Sequence, residues 1–346
     1  MTREERAKRS HAQSPDYVFR SLLAGGIAGC IAKTTVAPLD RVKILFQASN
    51  PEFQKYSGTW TGVFKAARDI KRDYGVVGLF QGHTATLLRI FPYAAIKFMA
   101  YDQAHKSLMP TTESETNVRR FIAGSASGMV SVLFTYPLEL LRVRLAFETK
   151  SDRTGGRPTL SSTFRTIYNE GTSFMLTNGH RASLSPSSSI TPPPTNARLF
   201  ESFPILKFYR GFTVTLLGMI PYAGTSFLIY GHLRSLVATP HRLDNSSEPS
   251  PKPRGKVTHD LFAGAVAGAV AQTVSYPFEV VRRRMQVGGL MRPGAWQGFG
   301  ETVRAVWKRS GWRGFFVGLS IGYLKIIPMT AVSFASWEYC KHLLGV

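Results

Sequence analysis

The feature that most constrains this chain is that it repeats itself three times. The hexapeptide "PLDRVK" at 38–43 recurs as "PLELLR" at 137–142 and as "PFEVVR" at 277–282. In each copy an acid follows the proline by two residues and a base follows the acid by three: Asp40 and Lys43, Glu139 and Arg142, Glu279 and Arg282. Small-residue stretches precede them, with Gly25, Gly124 and Gly264 each 13 residues before the proline. Downstream, Gly82, Gly211 and Gly318 each lie 10 residues before a second proline, Pro92, Pro221 or Pro328. A period of roughly 100 residues is too long for a solenoid unit, so each copy is a small assembly in its own right.

Each copy reads as two long helices joined by an amphipathic connector. The six helices are expected near 18–46, 82–106, 119–147, 211–236, 258–286 and 318–343. Around them lie a disordered tail at 1–17 and repeats at 18–107, 118–237 and 258–346, with a polar linker at 238–257. Residues 172–205, rich in Ser, Thr and Pro, form an insertion that only the second copy carries. They cannot bury a core and read as a disordered loop.

Composition enters because no segment offers twenty uninterrupted apolar residues, and mean hydropathy is close to neutral at −0.06. The repeats nevertheless point to an all-α membrane protein, since their small-xxx-small glycines suit close helix approach in lipid. Forty-three basic residues against 21 acidic give a net charge of +22, which suits nucleic acid, anionic lipid or an anionic solute. The apolar repeats argue against nucleic acid. The N-terminus has no apolar core for a secretory signal, and Cys30 and Cys340 cannot make a disulfide framework. His83, His105 and His232 lack metal-ligand spacing, and no nucleophile–base set appears. Neither an enzyme, a metal site nor a cofactor is expected.

A proline inside a helix removes a hydrogen bond and kinks it. Three such kinks bring the ends of the odd-numbered helices together, and threefold pseudo-symmetry sets the acid of one copy against the base of the next. The expected pairs are Asp40 with Arg142, Glu139 with Arg282, and Glu279 with Lys43. Charges at membrane depth must be paired or face water. Such a ring reads either as a permanent lock or as a gate, and the near-cancellation of attraction by desolvation suits a gate.

Four further bases fall where a wet lumen would lie: Lys33 before Pro38, Arg89 and Lys325 three residues before their prolines, and Lys97 after Pro92. Arginine offers a planar fork for phosphate and lysine a mobile point charge. Together they favour a strongly anionic small molecule.

Threefold Px[DE]xx[KR] with downstream glycine and aromatic–acid motifs resembles the mitochondrial carrier family over nearly the whole chain. The resemblance implies six transmembrane helices around a substrate cavity in the inner mitochondrial membrane, acting as a monomer, with cardiolipin at helix N-termini. It implies a matrix gate at the pairs above, braced by Gln47 and Gln286, with Ala146 lacking the brace. A cytoplasmic gate is implied at Tyr101, Asp102 and His105, at Tyr230 and Arg234, and at Trp337, Glu338 and Lys341. Here His105 replaces the usual base and Gly231 the usual acid, so Asp102 keeps Arg234, while Glu338 faces His105. Substrate contacts map to Arg89, to Gly218-Met219 and to Lys325, a middle pair typical of adenine-nucleotide-type carriers. The stretches "CIAKTTVAPLDRVKILFQ" and "GLFQGHTATLLRIFPYAAIKFMAYDQ" look most like the coenzyme A branch. That implies coenzyme A, dephospho-coenzyme A or adenosine 3′,5′-diphosphate as cargo; ADP, ATP or another nucleotide is the alternative. A non-transporting membrane scaffold is the alternative from another class.

Overall fold

The computed structural model describes residues 15–110, 116–149, 157–170, 203–237, 254–291 and 298–344, all helical or connecting. The long helices are α1 (Pro15–Gln47), α3 (His83–Leu108), α4 (Asn117–Phe147), α6 (Phe212–Val237), α7 (Arg254–Met291), and the consecutive α9 (Leu319–Leu324) and α10 (Ile326–Leu344). Shorter connectors carry α2 (Trp60–Leu79), α5 (Leu160–Tyr168) and α8 (Phe299–Ser310).

Helix limits differ slightly from those expected. The first begins at Pro15 rather than 18, because proline's fixed φ suits a first helical turn. The fifth runs from Arg254 into the expected linker. The sixth is interrupted at Lys325, between α9 and α10. Of the expected insertion, 172–202 lies outside the described residues, while Pro204 already opens a 3-10 turn, Pro204–Tyr209. The expected tail at 1–14 and most of the linker also lie outside them.

Each of α1, α3, α4, α6 and α7 carries its internal proline at the expected place. Stretches Arg20–Gln47, Val118–Phe147, Pro204–Leu233 and Trp312–Leu344 are long and apolar enough to cross a membrane. Helix α3 spaces Arg89, Lys97 and Asp102 along its length. Large apolar side chains such as Phe98, Phe134, Ile220, Leu228 and Ile327 are exposed. That outward apolar surface belongs against lipid, where backbone polar groups must be satisfied inside each helix.

The most extensive packing joins neighbouring repeats rather than the two helices of one repeat: α3 against α4, α6 against α7, and α10 against α1. The last of these closes the ring. The three even-numbered spans turn into their helices at Gly82, Gly211 and Gly318, with φ of 85°, 81° and 84°. This left-handed backbone is open to glycine without the Cβ penalty. The core sits where the odd helices end: Ile44 and Ala48 of α1 meet Val143, Ala146 and Phe147 of α4 and Val287 of α7. α2 seals the side of this plug, burying Val63, Ala66 and Ile70 against Val42, Leu45 and Phe46.

Candidate functional site

Above the apolar plug, the kinked odd helices bring three acids and their bases together. Arg142 Nη2 donates to Asp40 Oδ2 at 2.9 Å. Lys43 Nζ donates to Glu279 Oε1 at 2.9 Å. Arg282 Nη2 lies 2.5 Å from Glu139 Oε1 as an ion pair. Each contact joins one repeat to the next, so the acids and bases form a closed triangle.

The ring holds more positive charge than the motif alone supplies. Lys325 Nζ donates to the second oxygen of Asp40 at 2.7 Å, and Arg89 Nη1 to Glu139 Oε2 at 2.9 Å. Arg283, which the motif does not single out, donates to Glu139 Oε1 at 3.1 Å. Three carboxylates thus meet six cations. Asp40, Lys43 and Glu139 are buried, whereas Arg89 and Lys325 stay partly exposed. Burial is costly for any of these charges without a partner, and a lone survivor of a broken pair costs about 3–5 kcal/mol.

The glutamines act differently from the direct bracing of ion pairs that was expected. Gln47 Nε2 donates to Tyr276 OH at 3.0 Å, and Gln286 Nε2 to Tyr136 OH at 3.1 Å. Both tyrosines immediately precede a motif proline, and each passes the bond on, Tyr276 to Val317 O at 3.0 Å and Tyr136 to Arg210 O at 2.8 Å. In both seams a phenol fills the gap between helices and takes the amide N–H. Gln286 Oε1 also accepts from Arg283 Nη1 at 3.0 Å.

Three more arginines seal the ends of the odd helices by donating to backbone carbonyls across repeats. Arg41 Nε reaches Ala146 O at 3.3 Å, Arg144 Nε reaches Gln286 O at 3.2 Å, and Arg284 Nε reaches Gln47 O at 3.4 Å. Each acceptor is the residue nine positions after a motif proline. Free carbonyls at a helix C-terminus carry partial negative charge, so cations satisfy them well. Copies two and three use the base seven residues after the proline; copy one has Leu45 there and uses Arg41, one turn earlier.

The other predicted bases lie nearer the opposite end. Lys33 is partly buried, with Nζ 3.4 Å from Met329 Sδ. Lys97 is exposed. Gly218 packs against Phe278, and Met219 approaches Gly128. At that end the described side chains show contacts within single helices. Asp102 pairs with Lys106 on the same exposed helix face at 2.7 Å, and the expected partner Arg234 has its side chain outside the described residues. Tyr101 lies beside His105, with ring centroids 6.0 Å apart. Lys341 Nζ sits over the Trp337 ring at 4.6 Å. Tyr230 is partly buried. Glu338 is exposed. A partner one turn away is simply nearer than one across a wet gap.

Such a site can hold an anion but offers no covalent chemistry. No group of three or more metal-ligating side chains occurs among the described residues.

Comparison with known proteins agrees with this architecture. A family model described as "Mitochondrial carrier protein" matches residues 14–112, 113–189 and 253–346. An uncharacterized mitochondrial carrier of Schizosaccharomyces pombe is 45% identical over 344 residues, covering 97% of this chain and 99% of the relative. Mitochondrial carrier protein LEU5 of Saccharomyces cerevisiae is 43% identical over 354 residues, covering 96% and 92%. Solute carrier family 25 member 16 of Homo sapiens is 41% identical over 333 residues, covering 94% and 88%.

Proposed function

This chain belongs to the mitochondrial carrier family, and on that premise we propose that it exchanges coenzyme A across the mitochondrial inner membrane. Dephospho-coenzyme A and adenosine 3′,5′-diphosphate are the close relatives it would also accept. The observation that carries the reading is that six cations meet three carboxylates, two of which, Asp40 and Glu139, are each shared by more than one cation. Arg89 and Lys325 hold Glu139 and Asp40 from the even-numbered spans, on the side still accessible to solvent.

A phosphate-rich solute entering from that side competes with the two acids for Arg89 and Lys325. Guanidinium–phosphate and ammonium–phosphate bonds replace guanidinium–carboxylate and ammonium–carboxylate ones. Asp40 and Glu139 then keep only their odd-helix partners, and the ring loosens by a few kcal/mol. That is the scale on which a ligand shifts a two-state equilibrium. Lys33 and Lys97 add positive potential along the approach. Gly218 and Met219 are the positions the resemblance assigns to a flat base, with Phe278 packed against Gly218 in this conformation. The ring of Asp40, Lys43, Glu139, Arg142, Glu279 and Arg282, with Gln47 and Gln286, is the matrix gate. The aromatic–acid motifs at 101–105, 230–234 and 337–341 form the cytoplasmic one. No covalent step is involved, so the protein is a carrier and not an enzyme. It acts as a monomer, with cardiolipin phosphates at the N-termini of the even helices.

The base-binding preference follows the resemblance to the coenzyme A branch; the cations alone favour any polyphosphorylated solute. Uptake into vesicles reconstituted with the purified protein tests the reading. Saturable uptake of labelled coenzyme A, driven by internal coenzyme A and poorly competed by ADP, is expected. Uptake of ADP alone would make it a nucleotide carrier, and uptake of neither would make it a scaffold of carrier fold.

A further inference from the structure

The three seams between repeats are built alike in two cases and differently in the third. Tyr276 with Gln47 and Tyr136 with Gln286 fill two of them, all four side chains fully buried. Tyr136 also stacks on Tyr209, and Tyr276 on Phe316, aromatic residues two positions before the turning glycine. In the seam of α1 with α4, both positions are alanine: Ala37 before the proline and Ala146 nine residues after it. Phe80 keeps its place there but has lost the ring it would stack on, and packs on His83 instead.

The two alanines line a small pocket together with Arg41, Gln81, His83 and Arg142. It admits roughly one water-sized particle. Arg41 is only 2% exposed and spends Nε and Nη2 on the carbonyls of Ala146 and Glu148. Its Nη1 has no partner, and neither does the buried Nε2 of Gln81. Both orphans are donors. Asp40 also lines the pocket, but its two oxygens are taken by Arg142 and Lys325. Among the described residues no carboxylate pairs with Arg41. A buried guanidinium answered only by carbonyls retains its full charge, and an unpartnered buried donor is costly.

We propose that this seam binds a small monoatomic anion, chloride being the most abundant, between Arg41 Nη1 and the Gln81 side-chain amide. The ion takes the place of the tyrosine–glutamine pair that closes the other two seams. It supplies the acceptor that water would offer more weakly, and it sets a negative charge beside Arg41, which like Arg284 shows no carboxylate partner among the described residues, whereas Arg144 pairs with Glu170 at 2.8 Å.

Thermal melting of the purified full-length carrier in sodium chloride and in sodium gluconate, at equal ionic strength, tests the site. Gluconate is too large to enter. The melting temperature should be higher in chloride by about 2–4 °C, the response expected for roughly a tenfold shift in the folding equilibrium. Bromide should act like chloride. The variant Ala146→Gln should lose this salt difference, because the amide then fills the pocket. The two natural seams show that a glutamine fits there: Gly318 accommodates Gln47 Cγ and Gly211 accommodates Gln286 Cγ. If that variant does not fold, chloride-35 NMR line broadening on the unaltered protein, saturable and reversed by bromide, supports the ion equally. Identical melting in both salts would mean that water fills the pocket and would overturn the proposal, as would a chloride effect that persists in Ala146→Gln.

Discussion

The two ends of this molecule use the same residue types to opposite effect. Where the odd-numbered spans finish, every acid of the motif reaches across to another repeat, Asp40 and Glu139 buried and Glu279 partly exposed. Where the even-numbered spans finish, Asp102 turns back on Lys106 within its own exposed helix, and Lys341 lies on Trp337 four residues before it. The residues are alike; their surroundings are not. Helices pinned together by an apolar plug at one end deliver charges to one another, while helices separated by water leave each charge to its nearest neighbour. An ion pair is therefore a consequence of closure as much as its cause, and each end can exchange one arrangement for the other.

That contrast can be broken most severely at Glu139. The variant Glu139→Gln leaves Arg89, Arg282 and Arg283 facing one another without their common anion. We expect a loss of about 3–5 kcal/mol, the cost of orphaning buried charge, seen as a marked fall in melting temperature. Unchanged melting would mean that the ring contributes nothing to the closed state. Next in size, Arg89→Ala and Lys325→Ala should abolish coenzyme A exchange in vesicles while insertion into the membrane stays normal. Undiminished uptake would remove both residues from the binding site.

Smaller effects sharpen the comparison. Gln47→Ala removes a neutral hydrogen bond to a buried phenol, expected to cost about 1 kcal/mol and to accelerate exchange slightly by weakening closure, and Gln286→Ala, which also loses the bond from Arg283, should cost about 1.5–3 kcal/mol. A loss as large as that of Glu139→Gln would show that the braces, rather than the charges, hold the ring. At the open end Asp102→Asn should alter stability by less than about 0.5 kcal/mol, as exposed i,i+4 pairs do. A larger cost would reveal that Asp102 is already engaged across the helices.

Much of the closed end is legible in the sequence because it repeats. One hexapeptide three times over narrows the pairing to two closed triangles, each acid with the base of the next copy or of the previous one, and the structure takes the first. Arg283 escapes that reading because it sits one place outside the motif, in "VVRRRM", where neighbouring arginines look interchangeable. Arg41, Arg144 and Arg284 escape it because they bind carbonyls, and a backbone acceptor has no sequence signature. Tyr136 and Tyr276 did leave a signal. A tyrosine stands before the motif proline in copies two and three, and Ala37 in copy one. The residue nine places after the proline runs Gln47, Ala146, Gln286, so the tyrosine and the glutamine are lost together in one seam. The open end was less legible, since motifs there name residues whose partners depend on which conformation the protein adopts.

Alternation between the two ends is the central claim, and distances between spin labels at Lys106 and His342, at the exposed finish of α3 and α10, test it most directly. Measured by pulsed electron spin resonance in lipid, the unliganded carrier should give a distribution dominated by the wide separation. Saturating coenzyme A should add a distinctly shorter population as the aromatic–acid motifs meet. A single unchanged distribution, in a sample that still exchanges coenzyme A, would contradict the account.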